Sequence, residues 1–128
     1  MNILYDVVTD KSFDQAVADL KASLGAVSFG VLWELNLRDK LHEKGLEFAD
    51  NIQILEVCNP KQAKKALETQ IEVGAFLPCK IVVFEQSGEV HLALPRPSAL
   101  IGLIDNASLV VVADEVEAAL KSAIDNAK

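Results

Sequence analysis

Two hydrophobic rhythms alternate along this chain, a period of two that marks strands and a period near 3.6 that marks helices. Ile3-Leu4-Tyr5-Asp6-Val7-Val8 is a short apolar run that predicts a first strand, and Thr9-Asp10-Lys11-Ser12 supplies a turn. Ser12 and Gln15 have the spacing of a capping box. Phe13, Val17, Leu20 and Leu24 then recur at helical spacing, with Ala16 beside them and Gly25 placed as the stop. From Val27 to Leu35 the period switches to two: Val27, Phe29, Val31, Trp33 and Leu35 alternate with Ser28, Gly30, Leu32 and Glu34. This predicts a second strand with one strongly apolar face, on which Trp33 is a core residue. Leu37 to Lys44 fits two turns of helix ended by Gly45, and Ile52 to Val57 reads as a third strand running into Cys58.

Asn59 is a favoured N-cap and Pro60 fits the first helical position, so a helix begins there with Ala63, Ala66 and Leu67 inward and Lys61, Lys64 and Lys65 outward. Gly74 ends this excursion, and Pro78-Cys79 opens a fourth strand, Lys80 to Phe84. Gln86-Ser87-Gly88 is a short turn into a fifth strand in which Val90, Leu92 and Leu94 alternate, so the last two strands form a hairpin. Pro95 and Pro97 end it, with room for one helical turn near Pro97 to Leu100. A final helix runs from Leu109 to Ala123 on a stripe of Val112, Val116, Ala119, Leu120 and Ala123. The order predicts an α+β two-layer sandwich: a mainly antiparallel five-stranded sheet with helices on one face, and an inserted helix between strands three and four.

Composition sharpens this in two ways. The 128 residues make one domain, 1–128, and with 51% hydrophobic but only 5% aromatic residues its core must be aliphatic. A net charge of -7 repels phosphate backbones, which argues against a nucleic-acid partner. No apolar run approaches the roughly 20 residues that span a bilayer. The first residues lack the basic start of a signal peptide. A cytoplasmic protein with no membrane partner is expected, and its two cysteines are free thiols by default.

Those cysteines are the best candidates for chemistry. If the strand ending at Cys58 and the strand beginning at Cys79 are antiparallel neighbours, both thiols lie at the same end of the sheet. The face bearing Phe29, Val31 and Trp33 belongs under the helices. The opposite face is then semi-apolar and carries Cys58, Cys79, Glu34, Glu56 and His91. Cys58 precedes a helix N-terminus, where the dipole and Lys61 favour thiolate. The competing reading is that both cysteines pack as small hydrophobes. Asn59, Lys61 and Lys64 could hold an anion at the helix start, against the plainer reading of a solvated basic face. His42 reads as a surface residue, and His91 alone is too little for a metal. There is no Gly-rich phosphate loop, nucleophile elbow or paired-histidine motif.

Cys58-Asn59-Pro60, followed by Ala63, Ala66, Gly74 and Leu77-Pro78-Cys79, resembles the family grouped as domain of unknown function 302. Phe29, Glu34, Lys44 and Gly45 also fall on that family's pattern. Asn36 stands where the family favours aspartate, and Ile52 where it favours an aromatic residue. The resemblance implies a β-α-β(4)-α domain similar to the TATA-binding-protein-like fold, and dimers. The family carries no established activity, so the resemblance names neither a mechanism nor a cofactor.

Three functions compete. The leading one is a homodimeric binding or sensing module, with enzyme activity left open, that holds a small ligand, a soft metal ion or a sulfur species. Its ligand-binding candidates are Cys58, Cys79, Glu34, Glu56, Asn59 and Lys61, with Cys58 and Cys79 as metal ligands. The second is a thiol-redox enzyme with Cys58 as nucleophile and Cys79 as resolving thiol. The third is a structural dimerisation domain with core cysteines, in which a charge at Ile81 or Val83 splits the dimer.

Overall fold

Five strands make one sheet in the order β1-β5-β4-β3-β2: β1 (Leu4–Thr9), β2 (Gly30–Asn36), β3 (Ile52–Cys58), β4 (Cys79–Gln86) and β5 (Glu89–Pro95). Every neighbouring pair is antiparallel. The structure is a computed structural model and describes residues 2–128. Helices α1 (Phe13–Ala26) and α5 (Ala107–Ala127) cover one face. Shorter helices α2 (Leu37–Glu43), α3 (Pro60–Thr69) and α4 (Pro97–Ile101), with a 3-10 helix at Ile71–Phe76, fill the connections. The fold is the α+β arrangement that the two rhythms predict.

The local signals act where they were read. The Ser12 hydroxyl accepts from the Gln15 N–H at 3.1 Å and starts α1. Asn59 caps α3 with Pro60 in its first turn, and Asn106 caps α5 by accepting from the Ser108 N–H. Between β4 and β5 the chain reverses through Ser87 and Gly88 alone, at φ of 53° and 79°. Two consecutive left-handed residues are what a tight hairpin turn needs. α1 overruns Gly25 by one residue, and the left-handed turn falls at Ser28 instead.

Strand parity builds the core. Leu55 and Val57 of β3, Ile81 and Val83 of β4, and Leu92 and Leu94 of β5 are fully buried on the helix side. They meet Leu20 and Leu24 of α1 and Leu109, Leu120 and Ile124 of α5 in one continuous cluster. Lys11 fastens the end of α5 to α1, donating to the Ala127 carbonyl and to Asp19.

Strand β2 departs from the simple alternation. Val31 pairs with Val57 but Trp33 pairs with Glu56, so the register slips at Leu32. A bulge of this kind flips every following side chain to the other face. Trp33 is therefore not a core residue: it is 52% exposed, on the helix-free face. The same slip turns Glu34 to the helix side, where it pairs with Lys21 of α1 at 2.6 Å. Ile81 and Val83 also lie on the helix side, so a charge at either would enter the core and could not act as a probe of an outer interface.

Burial on alternate positions of β4 makes an expected contrast. Ile81→Ala should lower the free energy of unfolding by about 2–5 kcal/mol, while Lys80→Ala, at an exposed position, should change it by less than about 0.5 kcal/mol. Urea denaturation followed by circular dichroism separates them, and equal losses would contradict this register.

Candidate functional site

The antiparallel pairing of β3 with β4 sets Val57 opposite Cys79, so Cys58 and Cys79 stand at the same end of the sheet. Their faces differ. Cys79 shares its side with buried Ile81 and Val83, under the helices, and does not belong to the open face with Cys58. Both are free and half-buried. Both line a narrow, almost wholly apolar crevice among Phe29, Val57, Ala66, Leu77, Ile101 and Val116, with a volume of about 30 Å³.

This setting disfavours thiolates. Burial pushes the Cys79 thiol up to about 11, with Cys58 and Glu56 adding to the shift. Burial also pushes Cys58 up, against the expected activation by the helix start. The helix start has no free donors with which to offset that burial. The Asn59 side chain accepts from the Lys61 and Gln62 N–H groups at 3.1 and 3.3 Å, taking the donors that would otherwise face a thiolate or an anion. Lys61 is exposed on the outer side of α3.

A second, wider cavity lies beside the crevice, a cleft of about 330 Å³. One wall is Ala75, Phe76, Leu77 and Pro78, the end of the 3-10 helix and its run into β4 through a cis Leu77–Pro78 bond. The other wall is Pro95, Pro97, Leu100 and Ile101, where β5 turns into α4. Cys79 lines both cavities, and Glu56 and Lys80, 3.8 Å apart, give the cleft its charged edge. Of the residues singled out from the sequence, Cys79 and Glu56 line this cleft, while Cys58 and Asn59 line only the crevice. Glu34 is at the far strand with Lys21. His91 bonds Asp6 at 2.9 Å and stacks on Phe84, away from the cysteines. His42 bonds the Phe48 carbonyl. Among the described residues no three of His, Cys, Asp and Glu gather closely enough to hold a metal ion.

Sequence reasoning missed what holds the second wall. Glu117 of α5 is only 8% exposed, and its carboxylate accepts from the Ser98 N–H at 3.0 Å and the Ser98 hydroxyl at 2.6 Å. Arg96 and Lys121 reach its other oxygen at 3.3 and 3.1 Å. Burial alone would raise its pKa, but the Ser98, Lys121 and Arg96 contacts outweigh it and bring the value down to about 2. Arg96 continues to the Asn2 carbonyl, so one acid fastens the start of α4 and the first residues to α5. A signal was present: Glu117 falls between Ala113 and Leu120 on the apolar stripe of the last helix, where an acid needs partners.

A family described as "Domain of unknown function DUF302" matches the chain over residues 5–127. Among solved structures, an uncharacterised conserved DUF302 protein from Bacillus stearothermophilus is 35% identical, with a TM-score of 0.97 and full coverage of both chains. A search of curated proteins finds no match.

Two outcomes are expected at this site. A lowered acid pKa stabilises the fold above the unfolded value of about 4.5 and loses that contribution as pH falls toward about 2. Glu117→Gln should lower the melting temperature by roughly 5–10 °C at pH 7, with the gap to wild type shrinking steadily between pH 5 and pH 3 in thermal scans. Alkylation by iodoacetamide at pH 8, read by mass spectrometry, should modify Cys58 ahead of Cys79 and both more slowly than a peptide thiol. A Cys58 faster than the peptide would mean an activated thiolate.

Proposed function

The chain belongs to the DUF302 family, and we propose that it is a small-ligand binding module whose ligand occupies the cleft at the Cys79 end of the sheet. The observation that carries this reading is the cleft itself: about 330 Å³, walled by Ala75 to Pro78 on one side and by Pro95, Pro97, Leu100 and Ile101 on the other, with Glu56 and Lys80 as its charged residues. A mainly apolar pocket with few polar groups is how proteins hold small molecules. The ligand is then a compact, largely apolar molecule with one charged group, a cation meeting Glu56 or an anion meeting Lys80. Its two free cysteines favour a reducing compartment, the cytoplasm.

Burial of both thiols supports binding over redox catalysis, since a nucleophilic Cys58 and a resolving Cys79 would have to lose protons that the surroundings retain. The same cost weighs on a soft metal ion held by these two sulfurs alone.

The probe is 8-anilinonaphthalene-1-sulfonate, an apolar body with one anionic group. Its fluorescence should rise on mixing with the native protein. Ala75→Trp, which fills the cleft from an exposed position, should abolish the rise, and Lys80→Ala should weaken it severalfold. Emission unchanged by both substitutions would remove the cleft from consideration.

A further inference from the structure

We propose that Gln62 sets the specificity of the cleft, and that the ligand's inner end carries a hydroxyl group that donates to the Gln62 side-chain oxygen in the crevice. The inference rests on the reading of the cleft as the ligand site. Gln62 stands in the first turn of α3 and lines the crevice with Cys58, Asn59 and Ala63. Its amide nitrogen donates to the Glu115 carboxylate at 3.1 Å. A carboxylate only accepts, so this bond fixes the nitrogen toward α5 and leaves the oxygen on the other side of the amide. That oxygen is buried and has no hydrogen-bond partner among the described residues. A buried acceptor without a donor is costly and uncommon in a folded protein.

The crevice and the cleft share Leu77, Pro78, Cys79 and Ile101, so a molecule in the cleft can extend along that common wall toward Gln62. The two spaces differ in what they admit. Roughly 10–15 Å³ holds one water, so the crevice, at about 30 Å³, takes a single small group and no ring. A free water is a poor occupant, because it needs about two to four polar partners and these walls are almost wholly apolar. A hydroxyl tethered to an apolar body needs only the one acceptor.

The charged group of the ligand belongs at the opposite end. Lys80 is the more exposed member of its pair with Glu56, 46% against 20%, so an entering anion meets its ammonium first. The ligand class is therefore a small acid with an apolar middle and a terminal hydroxyl: carboxylate at Lys80, body along Phe76 and Leu100, hydroxyl at Gln62. Such a site discriminates strongly, because an analogue without the donor leaves the buried acceptor unpaired.

Displacement of 8-anilinonaphthalene-1-sulfonate from the full chain tests this with two matched series. One is straight-chain acids of about four to eight carbons with a terminal hydroxyl, and the other has a methyl group in place of that hydroxyl. At the best length the hydroxy acid should bind at least roughly tenfold tighter than its methyl counterpart. In Gln62→Met the preference should fall below about twofold, with dye binding unchanged. Gln62→Leu serves as a second variant should the first lose its far-ultraviolet spectrum. Equal displacement by the two series at every length, no displacement by either, or a preference that survives in both variants overturns this inference while the cleft reading stands. Dye emission indifferent to Ala75→Trp removes the cleft itself, and this inference with it.

Discussion

Everything in this molecule depends on the aliphatic layer between the sheet and the two long helices. Leu55, Ile81, Val83, Leu92 and Leu94 meet Leu20, Leu24, Leu120 and Ile124 with no solvent access at all. Each such side chain contributes about 1.5–3 kcal/mol when withdrawn from water. With so few aromatic residues the layer must be closed by many small contacts, so alternate positions on three adjacent strands are committed to it. An antiparallel strand has period two, and that commitment dictates what points the other way. The outer face is thus a remainder, and what it contains is informative because the core did not choose it.

The cleft arises from the same constraint at the sheet's end. α3 and the 3-10 helix leave after β3 and return before β4, while α4 follows β5, so two irregular segments flank one margin of the sheet. Neither packs as a long helix does. The second segment is held by Glu117, a nearly buried acid whose four contacts replace the water it lost. A polar tether here makes the wall specific in position without filling the space in front of it, as a bulkier apolar contact would.

Most of this architecture was legible from residue patterns. Caps at Ser12 and Asn59, the Ser87-Gly88 reversal and the stripe on α5 are local, and local signals survive folding when the fold agrees with them. The failures were tertiary. Nothing in the alternation from Val27 to Leu35 announces a bulge, because Leu32 fits either phase, and one unmarked residue exchanged the faces of Trp33 and Glu34. The cleft was equally hidden, since its walls come from segments some twenty residues apart that only the sheet brings together. Cys79 was misplaced for a simpler reason: its parity with Ile81 and Val83 was readable, but which face of β4 the helices would cover was not.

The segment from Cys58 to Cys79, which carries the family resemblance, has a folding role that accounts for several of its residues. Asn59 satisfies the first N–H groups of α3, and Pro60 occupies a position where a missing N–H costs nothing. Ala66 is buried where α3 packs on α5, whereas a Cβ at Gly74 would make only an ordinary contact with Leu67 at 3.5 Å, so packing does not demand glycine there. Leu77 and Pro78 form cleft wall, while Cys79 begins the strand whose next inward residue is fully buried Ile81. A thiol in this place is an apolar group at the junction of core and cavity, and its protonated state follows from that position. The sulfur is thus part of the floor between the crevice and the cleft, beside the cleft's two charged residues, Glu56 and Lys80.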